Sequence, residues 1–234
     1  MRVLPILLFV AFSALAGEGG SLTGVVKIDG EVPKPAVLNI DPAKKGGCNH
    51  NNMPDEAWVV NPANKGLKWV SVRVMDLELP APQQPFPEQK IDQKLCVFSP
   101  RVTIVGPLAG VEVLNPEGIA HNAHTVPMEV TNDPFNRMIP ANVPGLKIPG
   151  KRFLEAPEYI RLQCDIHGWM VAWIVVHDPR LAAVSDADGK FEIKNIPPGK
   201  YKVLFNHEGV EQEKQFEIKA GAATDAGEIL FKKK

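Results

Sequence analysis

The sequence predicts an all-β protein of the sandwich or barrel type, on the strength of two observations. Its 22 prolines and 19 glycines are spread widely and interrupt any long helix, and no window sustains a helical period of apolar residues. Short runs of alternating apolar and polar residues, bounded by turn residues, occur instead. These candidate strands lie at residues 23–28, 69–75, 101–105, 111–114, 159–164, 170–176, 190–193, 201–205, 215–218 and 228–231. So many short strands at this spacing are typical of β-sandwiches and barrels.

The length and charge of the chain limit what it can contain and bind. A chain of 234 residues is long enough for one large or two small domains with a real hydrophobic core. The formal net charge is −1 and no long basic run occurs, which argues against a nucleic-acid partner. Two proline-rich passages, at residues 80–87 and 133–150, are predicted to be linkers or surface loops, the second with a helical turn.

The first residues, MRVLPILLFVAFSALAGEGG, have the composition of an export signal. Arg2 supplies the positive end, residues 3–12 are apolar but too few to span a bilayer, and Ala14-Leu15-Ala16 is a cleavage site of small residues. Residues 1–16 are therefore predicted to be a signal peptide. The mature chain would be periplasmic or extracellular, with no membrane span. The alternative is an uncleaved membrane anchor.

An exported protein lies in an oxidising compartment, where cysteines pair. The chain has three cysteines, so one of them stays unpaired or has another role. The simplest hypothesis is a disulfide between Cys48 and Cys96, which leaves Cys164 as a thiolate.

The remaining cysteine belongs to a run, LQCDIHGWM, that follows a predicted strand. Side chains alternate along a strand, so Ile160, Leu162 and Cys164 are expected on one apolar face. His167 and Met170 follow in a tight loop and at the start of the next strand. Thiolate, imidazole and thioether are soft ligands that suit copper. The alternative is a free cysteine, a histidine and a methionine that are merely part of the core.

A copper site with one cysteine and one methionine needs a second histidine from elsewhere in the chain. The segment VLNPEGIAHNAHTV offers His121, with His124 as the other candidate, in a loop after the strand at 111–114. His50, in GGCNHNN, is interpreted as a polar loop residue rather than part of another metal site.

On these residues, the stretch 97–176 resembles the cupredoxins. FSPRVTIVGPLAGVEVLNPEGIAHNAHTV is similar to the first half of that family, and CDIHGWM resembles the short ligand loop of amicyanins and pseudoazurins. The resemblance implies a Greek-key β-sandwich over residues 80–180 that holds one type 1 copper ion. It further implies that His121, Cys164 and His167 are the in-plane ligands and that Met170 is the axial ligand. Asn122 would hydrogen-bond across to the Cys164 loop.

The sequence departs from the family just before the cysteine. Glu158, Ile160 and Leu162 stand where glycine and aromatic residues are usual, which concerns packing rather than ligation.

The resemblance implies a carrier of single electrons rather than an enzyme, because four side chains would leave no open position for a substrate. A redox protein such as a c-type cytochrome or an oxidoreductase would be its partner. An exposed edge of His167 and the neighbouring Trp169 are the predicted docking surface. Two alternatives remain, a copper storage or delivery protein and a structural envelope protein that keeps only the fold.

The segment AAVSDADGKFEIKNIPPGKYKVLFNHEG, near the C-terminus, resembles the carboxypeptidase regulatory-like, transthyretin-type sandwich. Residues 181–234 are too few for that module, and GSLTGVVKIDGEVPKPAVL resembles its missing first strand. Residues 17–79 and 181–234 are therefore predicted to form one discontinuous Ig/transthyretin-like sandwich, with the other domain inserted between them. A tail domain with a separate N-terminal extension is the alternative.

Overall fold

The computed structural model describes residues 18–34, 37–38, 40, 47–48 and 53–233. The predicted signal peptide at 1–16 and His50 lie outside these residues. The strands are β1 Gly20–Asp29, β2 Ser71–Val74, β3 Gln89–Ile91, β4 Val102–Val105, β5 Val111–Leu114, β6 His121–Pro127, β7 Asn136–Ile139, β8 Gly145–Ile148, β9 Glu158–Gln163, β10 Val171–Val176, β11 Ala182–Val184, β12 Lys190–Ile196, β13 Gly199–His207, β14 Val210–Ile218 and β15 Ala223–Lys232. The helices are α1 Gly150–Phe153 and three 3-10 turns at Glu56–Trp58, Lys94–Cys96 and Pro179–Leu181. No helix in this part of the chain is both long and apolar enough to cross a membrane.

The middle of the chain forms a first sandwich of two sheets. One sheet has the strand order β4-β10-β9-β6-β7, and the other has the order β3-β5-β8. Their inner faces enclose one cluster of buried apolar side chains, which includes Ile91, Val113, Ile160 and Ile174. From Ile160 onward β9 follows the predicted alternation, because Ile160 and Leu162 are fully buried while Arg161 and Gln163 are partly exposed. The register of this strand therefore directs the next residue, Cys164, into the core.

The two ends of the described chain share a second sandwich. The parallel pairing of β1 with β15 and the antiparallel pairing of β1 with β12 build one sheet. The other sheet has the order β11-β2-β13-β14. A separate apolar cluster, with Leu22, Val72, Phe205 and Phe231, fills the space between them. β1 therefore pairs with C-terminal strands, and the division of the chain into a discontinuous domain and an inserted one stays a prediction.

The two sandwiches pack against each other through buried aromatic and charged groups. Tyr159 of β9 stacks on Trp173 of β10, with ring centroids 4.5 Å apart, and Trp69 and Val184 of the second sandwich pack against the cluster that contains both rings. Arg101, just before β4, donates to both carboxylate oxygens of Glu208 at 2.7 and 2.8 Å. The second sandwich thus covers the part of the outer face that Tyr159 and Trp173 form.

All ten candidate strands overlap a strand of the structure. The prediction that residues 133–150 form a linker or surface loop is wrong. β7 and β8 lie within that passage, and α1 begins only at its last residue. Proline cannot donate in a ladder, so it favours strand edges and ends. β7 is an edge strand that pairs only with β6, which explains how a strand forms in this composition.

The free energy of unfolding should fall in mild acid, because two histidines at the sandwich junction are buried. Desolvation is the main cause that lowers the pKa of His177 and of His207 below the ordinary value of 6.5. Below about pH 6.5 the unfolded chain binds protons at these histidines and the folded protein does not. The free energy of unfolding therefore decreases as the pH falls from 6.5 to the lowered pKa values of the folded state. Each histidine contributes at most about 1.4 kcal/mol per pH unit to this decrease.

Urea unfolding of the metal-free protein at several pH values between 7.5 and 5 measures how steeply the free energy of unfolding depends on pH. His207→Gln should make this dependence shallower, and a pH-independent midpoint would contradict the prediction.

Candidate metal centre

The loop after β9 holds its shape through two backbone hydrogen bonds. The Met170 N–H donates to the His167 carbonyl at 2.8 Å, and the Cys164 N–H donates to the Met170 carbonyl at 3.2 Å. The chain thereby turns within seven residues from β9 into β10. Cys164, His167 and Met170 are all buried at this corner, with exposed fractions of 1%, 0% and 0%.

His121 brings a second imidazole to the same point. It is the first residue of β6, not a loop residue as expected, and it is fully buried. Its Nδ1 lies 4.0 Å from the Cys164 Sγ and 3.0 Å from the His167 Nδ1. The Cys164 Sγ lies 3.7 Å from the His167 Nδ1. Three ligand atoms from two segments of the chain therefore converge.

These separations suit a single metal ion. Metal bonds of about 2.0 Å to nitrogen and about 2.3 Å to sulfur place two ligand atoms roughly 3–4 Å apart. The three measured distances fall in that range. Met170 belongs to the same buried apolar cluster as Cys164 and is a candidate for a weak fourth ligand.

The protonation state of His121 suits the binding of a cation. Burial, as the main cause, and the nearby His167 together lower the pKa of His121 to about 4. A histidine with this pKa is neutral at physiological pH, and neutral imidazole is the form that binds metals.

A polar network outside the ligands joins the two ligand segments. The Asn122 Oδ1 accepts from the Asp165 N–H at 2.6 Å, and the Asn122 Nδ2 donates to the Asp165 Oδ2 at 2.9 Å. A hydrogen bond with His124 is the main cause that holds the pKa of Asp165 well below its usual range, and bonds from Asn136 and Gln163 add to the effect. The network fixes Asn122 beside His121 and Asp165 beside Cys164.

The Cys48–Cys96 disulfide, called the disulfide loop below, lies next to His121 and His167. Cys48 and Cys96 are bonded, and the Cys48 Sγ lies within 4.8 Å of a ring nitrogen of His121 and of His167. The Trp169 indole N–H donates to the Cys96 carbonyl at 3.0 Å, and the Trp169 ring lies 5.1 Å from the His167 ring.

The expected exposed edge of His167 is therefore wrong for this structure, because the disulfide loop and Trp169 exclude solvent from the imidazole. Trp169 itself is partly buried, with its indole nitrogen directed inward. Its role in docking stays a prediction.

The other histidines in the described part of the chain lie away from the convergence point. His124 is partly exposed and contacts Asp165 at 2.8 Å, on the outer side of the network. The His177 Nε2–H donates to the Val74 carbonyl at 3.0 Å, and His207 packs on Trp58.

Two residues near the site were not singled out for it by the sequence. Asp165 could have been noticed as a charged residue inside the ligand loop, next to the cysteine. The approach of Cys48 to the histidines depends on the path of a distant segment, and no local pattern signals it.

Comparisons with solved structures give likenesses to amicyanin, a pseudoazurin and a copper-containing nitrite reductase. No family model matches the sequence, and no curated protein matches it significantly. A mutant of amicyanin in the Cu(I) form is 14% identical over 45% of this chain and 98% of that chain, with a TM-score of 0.33. A pseudoazurin from Sinorhizobium is 16% identical over 40% of this chain and 76% of that chain, with a TM-score of 0.32. The copper-containing nitrite reductase from Thermus scotoductus is 19% identical over 44% of this chain but only 25% of its own, with a TM-score of 0.31.

Proposed function

We propose that the chain binds one copper ion and passes single electrons, as an exported protein of the cupredoxin type. The observation that carries the proposal is the convergence of the Cys164 sulfur with the Nδ1 atoms of His121 and His167, at separations of 3.0 to 4.0 Å. Thiolate and two imidazoles with a weak thioether form the ligand set of blue-copper electron-transfer sites.

In this proposal, Cys164, His121 and His167 would hold the ion, with Met170 as a weak fourth ligand. Bound copper supplies a reversible one-electron couple between Cu(I) and Cu(II). Asn122 and Asp165 hold the two ligand segments together, and such supporting hydrogen bonds orient ligands and tune metal sites. The surrounding apolar cluster excludes water.

The same ligand set supports a carrier rather than an enzyme. Catalytic metal sites keep a position open for water or substrate, and here four side chains would fill the coordination sphere. A disulfide between Cys48 and Cys96 suits an oxidising compartment outside the cytoplasm. A redox protein such as a c-type cytochrome or an oxidoreductase would be the partner.

Storage or delivery of copper is the second candidate function. It is favoured by the burial of both histidines beneath the disulfide loop, which separates the ligands from a docked partner. Voltammetry of the copper-loaded protein distinguishes the two functions. A reversible one-electron wave supports the carrier, and copper bound without such a wave supports storage.

Substitution of each histidine tests the assignment of the ligands. We expect His121→Gln to lose the intense visible charge-transfer band of the copper-loaded protein, because it removes an in-plane nitrogen. His124→Gln should keep the band, because that ring lies on the outer side of the polar network. Optical and paramagnetic-resonance spectra of both variants, loaded with one equivalent of Cu(II), provide the measurement. Loss of the band in His124→Gln with retention in His121→Gln would reverse the assignment.

A further inference from the structure

The disulfide beside the metal centre is placed where one of its sulfurs could itself become a ligand. The Cys48 Sγ lies within 4.8 Å of ring nitrogens of both His121 and His167, and all three residues are buried. While the sulfur is bonded to Cys96 it carries no charge and is a weak ligand, since the thiolate is the metal-binding form of cysteine.

The two halves of the disulfide are attached to the protein differently. The main chain of Cys96 is held by an N–H bond to the Glu117 carboxylate at 2.9 Å and by the Trp169 indole at 3.0 Å. Near Cys48, the described residues show a bond from the Leu38 N–H to the Met53 carbonyl, which closes the base of the segment that carries the cysteine. Cleavage of the S–S bond would therefore leave the Cys96 main chain held by these contacts and release the Cys48 sulfur from its bond.

We propose that Cys48 is a latent ligand of the metal centre, and that the redox state of the Cys48–Cys96 bond selects which ligand set the centre presents. With the disulfide intact, the set has one thiolate, from Cys164. With the disulfide reduced, Cys48 adds a second thiolate opposite the two imidazoles. The inference rests on the proposed metal centre of Cys164, His121 and His167.

The switch requires a dithiol reductant. The reductant transfers two electrons and two protons to the S–S bond, which breaks into two thiols while the reductant closes to its own disulfide. The Cys48 thiol then gives its proton to solvent as its sulfur bonds the metal. Two thiolates with two imidazoles form a set typical of tetrahedral zinc, and soft thiolates also select Cu(I).

A matched pair of variants tests the proposal without any reductant. Cys96→Ser and Cys48→Ser both lack the disulfide, but only Cys96→Ser keeps the sulfur next to the histidines. We expect Cys96→Ser to bind Zn(II) at least about 100-fold more tightly than Cys48→Ser, because it places one more thiolate at the site. X-ray absorption at the zinc edge should count two sulfur ligands at the thiolate distance of about 2.3 Å in Cys96→Ser and one in Cys48→Ser, with the weaker Met170 thioether counted separately. The wild-type chain, reduced with dithiothreitol and desalted without oxygen, should also show two and thus serves if a variant fails to fold.

The sulfur count also separates this inference from the proposed function. One sulfur in both variants, with equal zinc affinity, would overturn the role of Cys48 and leave the Cys164 centre standing. No sulfur in either variant would overturn both the latent ligand and the metal centre itself.

Discussion

Cys164→Ser should abolish the intense visible charge-transfer band of the copper-loaded protein and lower its Cu(II) affinity by at least about 100-fold. The band requires a thiolate bonded to copper, and a serine hydroxyl is a harder ligand that stays protonated at neutral pH. Loss of a mere supporting hydrogen bond around a metal costs 10- to 100-fold in affinity, so the loss of a direct ligand should cost more. Competition titration against a chromophoric chelator measures the affinity, and optical spectra follow the band.

A comparison of folds provides the control for this variant. Serine and cysteine differ by one atom, so metal-free Cys164→Ser should keep the far-ultraviolet circular dichroism of the metal-free parent. A folded variant with an undiminished band would exclude Cys164 as a ligand. Cys164 is buried, so it is not a surface thiol that could undergo redox reactions without a metal.

Local patterns in the sequence predict the cysteine side of the site well. The alternation of β9 determines that Cys164 faces the core, and the short spacing to His167 and Met170 lets one turn gather the three side chains. The sequence also offers His121 as the second histidine, although it places this residue in a loop and the structure places it at the start of the strand that pairs with β9.

The histidine side of the site could not be predicted in the same way. The cover over His167 comes from the Cys48–Cys96 loop, whose contact with the imidazoles is a consequence of how distant segments pack. β6 was missed as a strand because its residues, HNAHTVP, are polar, although pairing with β7 and β9 stabilises it. Tertiary pairing often overrides the weak β-propensity of such a segment.

Glu158, where the sequence departs from the cupredoxin pattern, has a structural role that should make the protein sensitive to its substitution. This carboxylate on β9 is fully buried. It accepts from the Glu129 N–H at 2.6 Å, the Asn132 N–H at 2.9 Å and the Asn132 Nδ2 at 2.9 Å. The carboxylate therefore ties β9 to the loop between β6 and β7.

We expect Glu158→Leu to lower the free energy of unfolding by about 3–5 kcal/mol, because it leaves these buried donors without their acceptor. Glu158→Gln keeps one acceptor oxygen and should cost less, about 1–2 kcal/mol. Glu192→Gln is the matched control, since it breaks only an exposed ion pair with Lys194 and should change stability by less than about 1 kcal/mol. Urea unfolding of the metal-free proteins gives the three values, and equal effects of Glu158→Leu and Glu192→Gln would contradict the role of the buried carboxylate.

The same variants separate stability from metal binding. Glu158 and Cys164 stand at opposite ends of β9, six residues apart, which at about 3.3 Å per residue is roughly 20 Å. Glu158→Gln, which should remain folded, is therefore expected to keep the copper spectrum of the parent while it unfolds at a lower urea concentration. A change in the spectrum would mean that the loop after β6 transmits its displacement to His121, at the other end of that strand, and that the polar network of Asn122 and Asp165 does not hold the ligands independently.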